Sequence, residues 1–201
     1  HKSFNTEEDE EVLDDEQSAQ IAEVSNENPT TKVASQQQSK PKEGHIVIAE
    51  NQKSISFDKL FGAYLRGAKE ITLTDPYLRV FHQIRNLMEF IETLVKFKAP
   101  EDDVSIHIIT AADDTRMEQQ VQYLEQVKMN AENAGVRVTW EFDGTDTIHA
   151  RHIVTNNGWK ILLDRGLDVF QRFEINDAFS LANKMQEQRA CKAFEITYMR
   201  T

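Results

Sequence analysis

From residue 45 onward the apolar positions switch repeatedly between a spacing of two and a spacing of three to four, and the switches mark out strands and helices. "HIVIAE" (45–50) is a short β-branched run. In "SISFDKLFGAYLRGAK" (54–69) Phe57, Leu60, Phe61, Tyr64 and Leu65 fall at helical spacing. "EITLTDPY" (70–77) reads as a buried strand ending in a turn. A helix follows through Val80, Phe81, Ile84, Leu87, Met88, Ile91, Leu94 and Val95, stopped near Pro100. The order then repeats. "VSIHIITAA" (104–112) is a strand, and residues 114–134 form a helix with Met117, Val121, Leu124, Val127 and Ala131 inward and Gly135 closing it. "VRVTWEFD" (136–143) is a strand. Next comes a hairpin, 148–155 against 159–165, across Asn156-Asn157-Gly158, a turn that supplies positive φ. A helix over 177–188 and a strand "AFEITYMR" (193–200) complete the pattern. Strands separated by helices predict an α/β fold with a mixed, mainly parallel sheet, helices on both faces and a late antiparallel hairpin.

Composition separates this pattern from what precedes it. Residues 1–44 hold eleven acids against four lysines, a net of −7 within a chain total of −11. The stretch is polar, rich in Pro, Gln and Ser with almost no aromatics, and cannot bury enough apolar surface to offset its ordering entropy. It is expected to be an extended linker or arm, clipped first in limited proteolysis, with 45–201 as the domain. "EEDEEVLDDE" (7–16) reads as a solvated charge run or an acidic interaction tail. There is no cationic-apolar leader and no run of 18 apolar residues, and the single cysteine, Cys191, has no internal partner, so a cytoplasmic protein without a transmembrane segment is expected. The opening reads as a linker, and the chain as the C-terminal part of a longer protein.

The chemistry centres on "IHARHIVTNNGW" (148–159). In a strand His149 and Arg151 share a face, and Asn156 completes a His-x-Arg-x4-Asn pattern. This resembles the His-x-Lys-x4-Asp motif of the phospholipase D superfamily, with arginine for lysine and asparagine for aspartate. "HARHIVTNNGWKILLDRGLDVFQRFE" further resembles the phospholipase D-like domain at the C-terminus of MIT-domain proteins, over roughly 45–201. The wording of "WKILLDRGLDVFQRFEINDAF" and "ACKAFEITYMR" resembles in particular the branch at the C-terminus of bacterial Lon-like AAA+ ATPases of BREX phage-defence systems. Asp164 stands where that family is expected to carry glycine.

In the superfamily's enzymes two motifs meet around a twofold, one histidine attacking phosphorus and the other protonating the leaving group. Here an asparagine cannot orient an imidazole by charge, an arginine grips phosphate without reproducing a compact ammonium, and only one motif copy is present. The resemblance therefore implies a noncatalytic accessory domain that binds a phosphate-like anion through His149, Arg151, Asn156 and Arg165 and pairs with itself as a homodimer. If it were an active phosphodiesterase or nuclease, His149, Arg151 and Asn156 would carry the reaction. A purely structural oligomerisation or docking module is the third reading. On it, His149 and Arg151 are a hydrogen-bond pair, His152 a core histidine, Trp159 and Phe170 core aromatics, and Arg165 and Asp168 a turn-stabilising ion pair.

No cofactor or metal is expected, since no ligand spacing stands out. Neither a Walker A sequence nor a serine-lysine protease motif occurs, so the ATPase engine of any Lon-like parent lies elsewhere. The phosphate-containing partner, whether lipid headgroup, nucleic acid or a protein, is left open. Overall acidity argues against nonspecific nucleic-acid binding, although residues 149–201 carry eight Arg/Lys against six Asp/Glu.

Overall fold

A computed structural model describes residues 39–145 and 149–201; the acidic stretch 7–16 and Asp146–Ile148 lie outside the described residues. The elements run β1 (Gly44–Ile48), α1 (Phe57–Leu65), β2 (Glu70–Thr74), α2 (Phe81–Phe97), β3 (Val104–Thr110), α3 (Met117–Asn133), β4 (Val136–Phe142), β5 (His152–Thr155), β6 (Trp159–Leu163), α4 (Leu181–Lys184) and β7 (Phe194–Arg200). The strands form one seven-stranded sheet in the order β1-β7-β6-β5-β2-β3-β4.

The α/β class, the mixed sheet and the late hairpin are as the sequence predicts. The parallel block is smaller than expected: β2–β3 and β3–β4 are parallel, and the other four pairings are antiparallel. The helices also differ, because they lie on one face only. Ile71, Leu73, Ile106, Ile108, Val138, Ile153, Ile161 and Ile196 alternate onto a single buried face. Tyr64 of α1 stacks on Tyr198 of that face with ring centroids 4.3 Å apart, and Phe61 of α1 meets Phe90 of α2 at 5.5 Å. The physical reason is chirality. The chain steps from β1 to β2, β3 and β4 in one direction across the sheet, so right-handed crossovers place every intervening helix on the same side. The opposite face carries Val47 (66% exposed), Leu162 and Met199, with no described element over it.

Local chemistry explains the boundaries. The Ser56 hydroxyl accepts the Lys59 N–H at 3.2 Å and starts α1. Val80 has no polar side chain to start α2, so the Gln83 amide oxygen accepts the N–H groups of Arg79 (3.0 Å) and Val80 (3.1 Å) instead. On α3 Met117, expected inward, is exposed, and Gln120 takes the buried place. It accepts the Asp113 N–H at 2.7 Å and donates to the carbonyls of Leu78 (2.8 Å) and Ala111 (2.9 Å), tying together the loops that leave β2 and β3.

The helix expected over 177–188 is reduced to α4 and a 3-10 turn at Gln186–Gln188. Side chains take backbone carbonyls along this stretch instead: Asn183 Nδ2 donates to Ile175 and Asp177, and Arg189 Nε donates to Ala182 at 2.6 Å. Of the hairpin strand predicted over 148–155, Ile148 lies outside the described residues, and the described part is regular over His152–Thr155, with one further rung where the Leu163 N–H reaches the Arg151 carbonyl at 2.9 Å. His152, weighed above as a core histidine, lies half-buried on the open sheet face, its pKa lowered by desolvation and by Lys160.

Candidate anion-binding site

β1, β2, β3, β4 and β6 all point their carboxyl ends to one edge of the sheet, where β5 begins. Crevices outside the carboxyl ends of strands in open α/β sheets are the habitual place for ligands. Here Asp75 follows β2, Arg151 leads into β5, and Asp164 to Asp168 follow β6. A cavity of about 210 Å³ forms between them, lined by Asp75, Tyr77, Arg151, Arg165, Leu167 and Asp168 among others.

The Arg151 guanidinium is held over the Tyr77 ring, 4.3 Å from its centroid, and Nη1 donates to the Asp164 carbonyl at 2.9 Å. Its Nε–H is buried and has no acceptor among the described residues. Arg165 lines the same cavity while its Nε donates to the Ala193 carbonyl at 2.7 Å. Asp75 is only 4% exposed, and its Oδ1 accepts the Tyr77 N–H at 3.0 Å. Burial raises its pKa, against backbone hydrogen bonds from Tyr77 and Leu167 and the charge of Arg151, all of which lower it. Gly166 holds φ at +61°, and a Cβ built there would fall on Asp75 Oδ2 and 3.2 Å from Arg151 Cδ. Only glycine lets these two loops close on each other.

The structure brings Arg151 and Arg165 together and leaves the other two predicted residues apart. His149 is exposed and is not among the residues lining the cavity. Asn156 sits at the far end of β5, where its Oδ1 accepts the N–H groups of Lys69 (2.9 Å) and Glu70 (3.2 Å). That carbonyl satisfies the backbone entering β2, so Asn156→Ala is expected to cost about 1–2 kcal/mol in urea unfolding while leaving anion titrations unchanged. Asp168 pairs with Lys192 at 2.9 Å rather than with Arg165. Trp159 and Phe170 are core aromatics. The residues that reading the sequence missed are Asp75, Tyr77 and Gly166. A signal existed for the first: "LTDPY" puts a carboxylate at the carboxyl end of a strand that reads as buried. Asp164, standing where glycine was expected, uses its carboxylate to accept the Glu195 N–H at 3.0 Å; the close approach to the cavity is made by Gly166 instead.

The family model of the phospholipase D-like domain at the C-terminus of MIT matches residues 54–200. The chain belongs to this family. The mouse protein named MIT domain-containing protein 1 is 35% identical over 148 residues, which is 73% of this chain. The chain spans 57% of that relative's length. In this MIT C-terminal domain the matched span contains the whole cavity and every strand but β1. No helix among the described residues is long and apolar enough to cross a membrane.

Proposed function

We propose that this MIT C-terminal domain is a noncatalytic accessory module that binds a phosphate-like anion between Arg151 and Arg165 and associates with itself. The observation that carries the reading is the Arg151 side chain, which lines a small cavity beside a second guanidinium and has a buried Nε–H without an acceptor among the described residues. Buried donors are normally paired, and a guanidinium fork matches phosphate oxygens. The absence of turnover is supported by an exposed His149 outside the cavity and by an Asn156 oxygen already committed to backbone at the far end of its strand.

Calorimetric titration of the intact chain with inorganic phosphate tests this. Arg151→Ala is expected to weaken binding about tenfold or more, the loss of a charge-assisted hydrogen bond, and added salt to weaken the wild type. Unchanged affinity in Arg151→Ala would leave only the structural reading. Turnover of a phosphodiester that vanishes in His149→Ala would establish the enzyme. Self-association is supported by the uncovered sheet face with Val47, Leu162 and Met199, and a strict monomer in scattering at tens of micromolar (roughly where a weak dimer forms) counts against it. The parent we propose is a longer, cytoplasmic Lon-like ATP-dependent protein of phage defence, supported by the wording of residues 159–179; the sequence upstream of His1 tests that.

A further inference from the structure

The cavity that carries the proposed anion site is also lined by two carboxylates: Asp168 is paired with Lys192 at 2.9 Å, whereas Asp75 has no lysine or arginine salt bridge among the described residues. Asp75 lines the cavity with Arg151 and Arg165, it is almost fully buried, and its position is enforced by Gly166, whose missing side chain leaves room for Oδ2. A carboxylate fixed beside an oxyanion repels it unless a proton lies between them. Resting on the anion-binding reading above, we propose that Asp75 is a selectivity residue that accepts a hydrogen bond from the ligand's own hydroxyl, so that the pocket takes protonated phosphate or a phosphomonoester and refuses sulfate and phosphodiesters.

Three further features fit. At about 210 Å³ the cavity is smaller than the pockets of roughly 300–1,000 Å³ that hold drug-sized ligands, and suits one phosphoryl group at the end of a chain. A phosphomonoester has its second pKa near about 6, so near neutral pH a proton is available to share. Burial raises the pKa of the Asp75 carboxyl above its ordinary value, which favours sharing a proton over outright repulsion. Sites built to pair with a ligand hydroxyl reject analogues that lack it more strongly than apolar contacts do.

The test is a set of calorimetric titrations of the intact protein at constant ionic strength with inorganic phosphate, sulfate and dimethyl phosphate. Wild type is expected to prefer phosphate at least about tenfold over both others. Asp75→Asn, which removes the charge and puts an amide donor in place of one carboxylate oxygen, is expected to gain sulfate affinity and lose the preference. Because that variant disturbs the hydrogen bonds from Tyr77 and Leu167, the wild-type ratio stands as an independent measurement. Equal, Arg151-dependent binding of phosphate and sulfate overturns the selectivity alone; no Arg151-dependent binding of any anion overturns the anion site itself. A vesicle arm separates sources. Preference for phosphatidic acid over phosphatidylglycerol vesicles assigns the monoester to a lipid headgroup, and equal vesicle binding with phosphate selectivity kept in solution assigns it to a soluble one.

Discussion

Arg189→Ala is expected to destabilise the protein by about 3–5 kcal/mol, lowering the melting temperature by roughly 6–20 °C. Arg189 is 3% exposed, and its two terminal nitrogens meet the Glu89 carboxylate of α2 at 2.7 and 2.8 Å. Its Nε caps the Ala182 carbonyl, and its guanidinium lies 3.9 Å from the Phe173 ring centroid. Gln186 donates to the same carboxylate at 2.8 Å. Arg189 is thus the most buried of the side chains that fasten the irregular stretch from Phe173 to Arg189 onto α2, beside Gln186 on Glu89 and the Arg85–Asn183 hydrogen bond at 3.0 Å. Removing it leaves Glu89 shielded from water without its fork of donors, and leaves a carbonyl unpaired. Urea unfolding measures the loss. Arg189→Lys is expected to fall between, since an ammonium keeps the charge and forfeits the planar fork. A cost below about 1 kcal/mol for the alanine variant, the range of exposed ion pairs, would show that water reaches Glu89 and that this contact does not hold the stretch.

Gly166→Ala is expected to cost about 2–4 kcal/mol and to abolish phosphate binding together with it. Two effects add. The backbone at φ +61° disfavours any side chain, and the new methyl overlaps the Asp75 carboxylate and crowds Arg151. Gly67 provides the internal control. It has φ +77°, and a Cβ added there would meet nothing within 4 Å, so Gly67→Ala should show the backbone penalty alone, about 1 kcal/mol. Thermal melts and phosphate titrations on both variants separate strain from overlap; equal losses in the two would mean that Asp75 and Arg151 move aside freely and that the cavity is not held in shape by Gly166.

Much of the architecture was legible in the sequence because each long element buries one face, and a buried face imposes its own period. Phe57 to Leu65 and the alternation of Val104, Ile106 and Ile108 announce a helix and a strand without reference to anything else. What was illegible depends on partners distant in sequence. Nothing near "EITLTDPY" says that β2 will also accept β5, or that three strands will enter between β1 and β2 and turn most of the pairings antiparallel. Met117 looked inward by spacing, but Gln120 has three backbone partners at that depth. The site divides the same way. Arg151 and Arg165 stood out as cations near a recognisable pattern, whereas Asp75 becomes a cavity residue only when β2 and the turn after β6 are laid side by side. Asn156 matched the spacing of a catalytic motif while serving the N–H groups of Lys69 and Glu70, contacts that no linear pattern encodes.

Among the described strands β1 touches the sheet only through β7, pairing Gly44 with Tyr198 and Ile48 with Phe194. The His45–Thr197 rung of this ladder joins positions 152 residues apart. During synthesis at about 5–20 residues per second, the first strand therefore waits on the order of 8–30 s for that neighbour. Over that interval the parallel block β2–β4, closed by two local crossovers, can already be complete, and Gly44–Ile48 is a segment without a strand partner, with Val47 and Ile48 free to meet another nascent chain. Truncating the chain before Phe194 would make that waiting state permanent and cost the sheet two strands rather than one.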